Sequence, residues 1–229
     1  MPNAPDIAAR GLERLADKDL RFLAQNFPRP VPSYAEMAQT FARLPSTLDS
    51  MLDAGYLHRK IFENRSELLG ISPFLLFSVL LRRCIGAART ATDRAVINYL
   101  ANLLSLFVRT DRVYRPEAGD DRSYEYLVEL AAEAGQADEE RRFLLHAHIG
   151  NYALYLTGIF ADALEYRHRY QRRPADARYY ADMGRMGYRD AASNRLARAY
   201  DLRDVFLRLA MTFDYRERLN MLAREYLFN

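Results

Sequence analysis

SPFLLFSVLLRRCIG, residues 72–86, carries one serine among the apolar side chains between Phe74 and Leu81, and its first charge is Arg82. A bilayer span needs about 20 apolar residues, so this run is too short to be one. The alternation of a half-buried strand is missing. Ser72 offers an oxygen to cap a helix, and Pro73 falls at the first helical position, where its missing amide costs nothing. The pattern predicts a helix over 73–86 that is apolar nearly all round. Such a helix belongs at the centre of a helical fold.

Working outward, AVINYLANLLSLFV (95–108) reads as part of a second apolar helix starting near Thr92. Upstream, residues 5–26 predict one or two short helices, then a turn at FPRPVPS and a helix from Ser33 to Leu44. In STLD, Ser46 and Asp49 are spaced as a capping box for a helix bearing Leu48, Met51, Leu52, Tyr56 and Leu57. NRSELLG then breaks the pattern. Downstream, TDRVYRPEAGDDRS (110–123) is the longest polar gap and predicts a loop within one domain, 1–229. The helix before it is too apolar to stand without the helices after it. A short helix follows over 124–135, and a long one over 138–157, weakened at Gly158. Asp162 and Glu165 in DALE form a second box, starting a helix at 163 that RRPAD ends. Helices over 176–199, 202–212 and 215–227 complete the chain, with Asp214 and Glu217 as a third box. The expected fold is all-α, a single compact bundle of about nine helices, with no repeat of fixed period.

Composition narrows the class. Half of the 229 residues are apolar or aromatic, and sixteen tyrosines stand against no tryptophan. The net charge is +3, and every basic residue except Lys18 and Lys60 is arginine. Residues 123–164 hold seven acids and two arginines, while 165–229 hold nine acids and fourteen arginines. Because the acids are interleaved, nucleic-acid binding would require the arginines to gather on one face. Cys84 is the only cysteine, so no internal disulfide and no four-cysteine zinc site can form. MPNAPDIAARGLERLADKDL has no apolar signal core, and a cytoplasmic protein without a transmembrane segment is expected.

The chemistry-bearing stretch is HAHIGNYALYLTGIF, 146–160. On a helix, His148, Asn151, Tyr152 and Tyr155 share one face, and His146 points about 200° away from His148. Buried, these groups must be hydrogen-bonded. They are either a satisfied core stripe or the wall of a ligand pocket. In ARYYADMGRMGYRD, Tyr180 and Tyr188 lie two turns apart with Gly184 and Gly187 between them, and Arg185 is on an adjoining strip. A pocket between helices 138–157 and 176–199 would bring His148, Asn151, Tyr152 and Tyr155 opposite Tyr180, Tyr188 and Arg185. His148 with Tyr155 or Tyr180 is the one pair suited to general acid–base work. GNYALYLTGIF followed by RYYADMGRMGY, about residues 148–192, resembles a pattern in uncharacterised bacterial all-helical proteins. That resemblance implies a single helical domain, with no activity and no catalytic residues.

Other chemistries have thinner signals. EYRH places Glu165 and His168 at the Glu-x-x-His spacing of helical di-iron sites, but there is no second copy, so no metal and no cofactor are expected. Cys84 reads as a core residue, and Ser78 and Ser105 as hydroxyls bonded back to the preceding turn. Nothing resembles a phosphate-binding glycine loop. ASNRLARAYDLRDVFLRLA could hold a recognition helix with Asn194, Arg195 and Arg198, although its apolar positions suit bundle packing. Tyr226, Leu227 and Phe228 predict docking of the last helix onto the body or onto a twin subunit, hence a homodimer. The functional expectation is a helical protein acting through protein interaction or small-ligand binding. The alternatives are a helical enzyme or metal-dependent oxidoreductase with its site between helices 138–157 and 176–199, and a nucleic-acid-binding regulator.

Overall fold

The computed structural model describes residues 4–9, 14–26, 45–63, 70–86, 90–171 and 175–228, and every regular element among them is helical. The predicted FPRPVPS turn, the helix from Ser33 to Leu44 and residues 64–69 of the predicted break lie outside these residues. Contacts divide the chain into two units, Ala9–Ser105 and Met1–Ala8 with Leu106–Asn229.

The first unit contains α1 (Asp17–Gln25), α2 (Pro45–Asp53), α3 (Gly55–Glu63), α4 (Pro73–Ile85) and most of α5 (Ala91–Phe107). The Ser72 hydroxyl accepts from the Leu75 amide at 3.2 Å, with Pro73 at the first helical position, as the sequence predicts. Phe74, Leu75, Phe77, Val79, Leu80, Leu81 and Cys84 of α4 are all buried, and only Leu76 of the apolar run is partly exposed. The Asp19 carboxylate caps two helices at once, accepting from the amides of Ala16 at 2.9 Å and Ser72 at 2.6 Å. Lys18 adds a bond to the Ile71 carbonyl at 2.9 Å, so α1 is latched to the start of α4.

Two local expectations fail here. Asp49 does not cap α2. The helix begins at Pro45, and the carboxylate instead meets Arg82 of α4 at 2.7 Å. Arg82 is 3% exposed and also reaches Asp53 at 3.0 Å, Asn98 at 2.9 Å and the Ser78 carbonyl at 3.1 Å. A guanidinium on a helix with no polar face must take its counter-ions into the core, and it draws them from the neighbouring helix. The second failure is Ser78, whose buried hydroxyl makes no hydrogen bond among the described residues, whereas Ser105 bonds back to the Asn102 carbonyl at 2.7 Å as expected.

The second unit holds α6 (Thr110–Val113), α7 (Leu127–Gln136), α8 (Glu139–Ile159), α9 (Ala161–Gln171), α10 (Ala177–Ser193), α11 (Arg195–Ala199), α12 (Arg203–Met211) and α13 (Tyr215–Leu222), which a π turn (Ala223–Leu227) continues. A 3-10 turn at Asp6–Ala8 joins it. Helix α8 is the spine, buried along most of its length from Phe143 to Ile159. Asp138 caps it through the Arg141 amide at 2.9 Å. Its glycines are packing contacts. A Cβ on Gly187 of α10 would stand 2.8 Å from the His146 carbonyl oxygen and 2.9 Å from the Gly150 nitrogen, so the two backbones touch there. Gly158 does not end the helix. It lets Leu219 of α13 lie where a Cβ would be only 2.7 Å away.

The helices are shorter and more numerous than expected. The run over 176–199 divides at Asn194, whose side chain caps α11 through the Leu196 amide at 2.9 Å. The box in DALE does not form, because α9 begins at Ala161 and leaves Asp162 inside the helix, bound to Arg224 at 2.7 Å. Glu165 pairs with Arg169 at 2.6 Å. Asp214 precedes α13 without a side-chain cap bond.

Candidate functional site

Helix α8 does set His148, Asn151 and Tyr152 on one side, and all three are buried. His148 Nε2 lies 3.1 Å from the Val113 carbonyl, to which it donates as a neutral ring. The imidazole packs edge-on against Phe107 at 5.9 Å between centroids and parallel to Tyr152 at 6.3 Å. Burial lowers its pKa to about 3, and the nearby Arg112 charge works in the same direction. The Asn151 amide oxygen accepts from the Tyr188 hydroxyl at 3.0 Å. Tyr152 donates to the Glu125 carbonyl at 3.3 Å. Burial raises its pKa, with Tyr114 and Tyr180 nearby adding to the shift.

Tyr188 is fully buried, stacked at 5.6 Å on Phe206, and it lies over Gly150, where a Cβ would be 2.5 Å from its ring. Tyr155 sits edge-on to Phe107 at 5.0 Å and Phe160 at 5.3 Å. Tyr180 is partly buried beside Tyr179, their rings 5.6 Å apart. Arg185 faces outward, bound to Asp182 at 3.0 Å and lying over Phe213 at 5.6 Å. The fold thus joins His148 to Val113 at the end of α6 and Asn151 to Tyr188, with Tyr155 sharing Phe107 with His148 and Tyr180 close to Tyr152, while Arg185 turns to Asp182. Glu165 is exposed and committed to Arg169, and the His168 side chain lies outside the described residues. Among the described residues no group of three or more His, Cys, Asp or Glu could hold a metal ion, and no helix is long and apolar enough to cross a membrane.

Sequence reading missed an ionic cluster built on the 110–126 segment. That segment is irregular after α6, as expected of a loop, and much of it is exposed, but Arg112, Val113, Pro116 and Tyr124 are buried. Arg112 is 3% exposed and bonds Asp6 at 2.7 Å and the Pro116 carbonyl at 3.3 Å. Arg141 does not extend α8 into solvent. It binds Asp120 at 2.7 Å, Glu133 at 3.1 Å and the Tyr124 hydroxyl at 3.2 Å. Burial opposes its charge, but the hydrogen bonds with Asp120, Tyr124 and Glu133 outweigh that and raise its pKa. Tyr124 in turn donates to Glu133. Glu117 is held above the usual carboxylate range by burial first and by Asp120 second. A charged stretch usually reads as solvated surface, and nothing in the local pattern separates a carboxylate in water from one facing a guanidinium.

A cleft of about 470 Å³ opens where the end of α8 meets the starts of α9 and α10 and the first turns of α13. It involves the two helices expected to share a pocket, but Thr157 on its wall stands nine residues past His148, about 14 Å along the axis. Asp176 caps α10 through the Tyr179 amide at 2.7 Å, and Asn220 donates to the Gly158 carbonyl at 3.3 Å. Glu165 is held by Arg169. Arg216 and Glu217 also line the cleft, and neither side chain makes a hydrogen bond or ion pair among the described residues. Comparison with protein-family models, with curated proteins and with solved structures finds no match to this chain.

Proposed function

We propose that the protein is a binding protein for a small polar ligand, taken in the cleft bounded by α8, α9, α10 and α13. The observation that carries this reading is the state of the lining. Arg216 and Glu217 come to a cleft of ligand size with their charged groups uncommitted, while the neighbouring Asp176 and Glu165 already have partners. A guanidinium presents a flat fork suited to a carboxylate or phosphate, and Glu217 beside it suits a hydroxyl or amine donor on the same molecule. The buried stripe has a different role in this reading. Asn151 accepts from Tyr188 and so ties α8 to α10, two of the helices that frame the cleft, while His148 and Tyr152 bond Val113 and Glu125.

A thermal-shift screen of small acids and zwitterions tests the assignment. A ligand at about 100 times its dissociation constant raises stability by roughly 2.7 kcal/mol, which a melt detects readily. Arg216→Met is expected to abolish the shift with any hit. His148→Phe is expected to lower the melting temperature but keep the shift. The opposite pattern, with binding kept in Arg216→Met and lost in His148→Phe, would return the site to the α8 stripe.

A further inference from the structure

Helix α9, ADALEYRHRYQ, buries Leu164 and turns an aromatic ridge to the solvent. At about 100° per residue, Tyr166 and Tyr170 stand only about 40° apart, opposite Leu164, with Arg167 about 60° to one side of the pair and Arg169 about 60° to the other. Tyr166 is 58% exposed and Tyr170 65%, and their rings lie 4.8 Å apart. Both acids of the helix are neutralised, Asp162 by Arg224 at 2.7 Å and Glu165 by Arg169 at 2.6 Å. Arg167 is exposed and makes no hydrogen bond or ion pair among the described residues.

We propose that this face of α9 binds single-stranded nucleic acid, with unpaired bases stacking on Tyr166 and Tyr170 and a phosphate meeting Arg167, while Arg169 stays paired with Glu165. Two exposed phenol faces beside the unpaired Arg167 guanidinium match a strand that alternates flat bases with negative charge. A duplex hides its base faces, so the ridge selects unpaired strands. A lipid surface is the weaker match, because an interfacial helix needs an apolar face to bury and this one offers no aliphatic side chain beside the tyrosines. Tyr166, Arg167 and Tyr170 do not line the cleft, and the proposal does not depend on the ligand reading.

The test is fluorescence anisotropy of the full chain with labelled oligothymidylate and oligouridylate of about a dozen nucleotides, titrated at several salt concentrations. The parent is expected to bind both, and a duplex of the same length at least about ten-fold more weakly. Replacing both tyrosines (Tyr166→Ala with Tyr170→Ala) is expected to lower affinity about ten-fold or more at an unchanged melting temperature. Arg167→Ala is expected to reduce the slope of log affinity against log salt by about 0.7. The proposal is overturned if neither oligonucleotide binds at low salt, if the double tyrosine variant binds like the parent, or if the duplex binds as well as the single strand. Binding to phosphatidylserine vesicles without binding to either oligonucleotide would overturn it in favour of a membrane surface.

Discussion

His148 shows how one residue's surroundings decide its chemistry. A histidine near pH 7 ordinarily hovers between two charge states. Here burial and the Arg112 charge lower its pKa to about 3, and the Val113 carbonyl accepts its proton-bearing nitrogen. The folded value lies below the ordinary 6.5. The unfolded chain therefore takes up a proton at this ring as pH falls below about 6.5, and the folded chain does not. The stability that His148 contributes is complete above that pH and is lost on the way down toward 3, by up to about 1.4 kcal/mol per unit. Burial lowers the His146 pKa as well, so His146 acts with the same sign. Urea denaturation at pH 7 and pH 5 should show the parent losing stability with acid and His148→Phe losing less. At pH 7 the variant should itself be about 1–3 kcal/mol weaker, because the Val113 carbonyl is left without its donor. Equal acid sensitivity in both proteins would mean that the ring is protonated in the fold.

At the scale of elements, the contact between α8 and α10 depends on absent side chains. Gly150 leaves room for the Tyr188 ring, Gly184 for the Phe213 ring, and Gly187 lets the two backbones meet. The neighbours of Gly187 include backbone atoms, which cannot rotate out of the way. Gly187→Ala should cost about 1–3 kcal/mol or more in chemical denaturation. Gly135, inside α7, has nothing within 4 Å of an added Cβ, and Gly135→Ala should stabilise the protein by up to about 1 kcal/mol through helix propensity. Opposite signs for the same substitution would separate packing from propensity. The sequence showed which positions were small and that α8 and α10 could pack tightly. It did not show that Tyr188 would occupy the space over Gly150, because that requires knowing how far one helix is shifted along the other.

Over the whole molecule, the chain's early residues return to its later half. Asp6 meets Arg112 across 106 positions of sequence, at 2.7 Å, with Arg112 3% and Asp6 32% exposed. Removing one member of such a pair strands a buried charge. Asp6→Ala should cost about 2–3 kcal/mol, below the roughly 3–5 of a fully buried pair because Asp6 keeps some contact with water. Adding Arg112→Met to Asp6→Ala should recover part of that loss, since the stranded charge is then gone. A denaturation series of the parent, single and double variants measures both effects. A double variant weaker than Asp6→Ala alone would show that Arg112 acts chiefly through the Pro116 carbonyl.

What the sequence by itself determined is local. The all-helical character follows from spacing repeated every three to four residues, and the start of α4 from Ser72, whose cap closes within one turn. The burial of α4 follows from its having no polar face to turn outward. Only the tertiary structure decided the partners of the charged residues. Asp49 and Asp162 stand at capping-box positions, yet their carboxylates go to Arg82 and Arg224, 33 and 62 residues away. For Asp49 a nearly buried guanidinium brought close by packing is the stronger partner, while Asp162 falls inside α9, which starts at Ala161, and meets Arg224 at the surface. The same holds for Arg141, whose counter-ions are Asp120 from a segment that reads as solvated loop and Glu133 from α7, and for the cleft, whose walls come from four helices between Thr157 and Asn220. Capping and periodicity are properties of a few consecutive residues. Ion pairs between elements and clefts among helices exist only after apolar burial has chosen which surfaces meet.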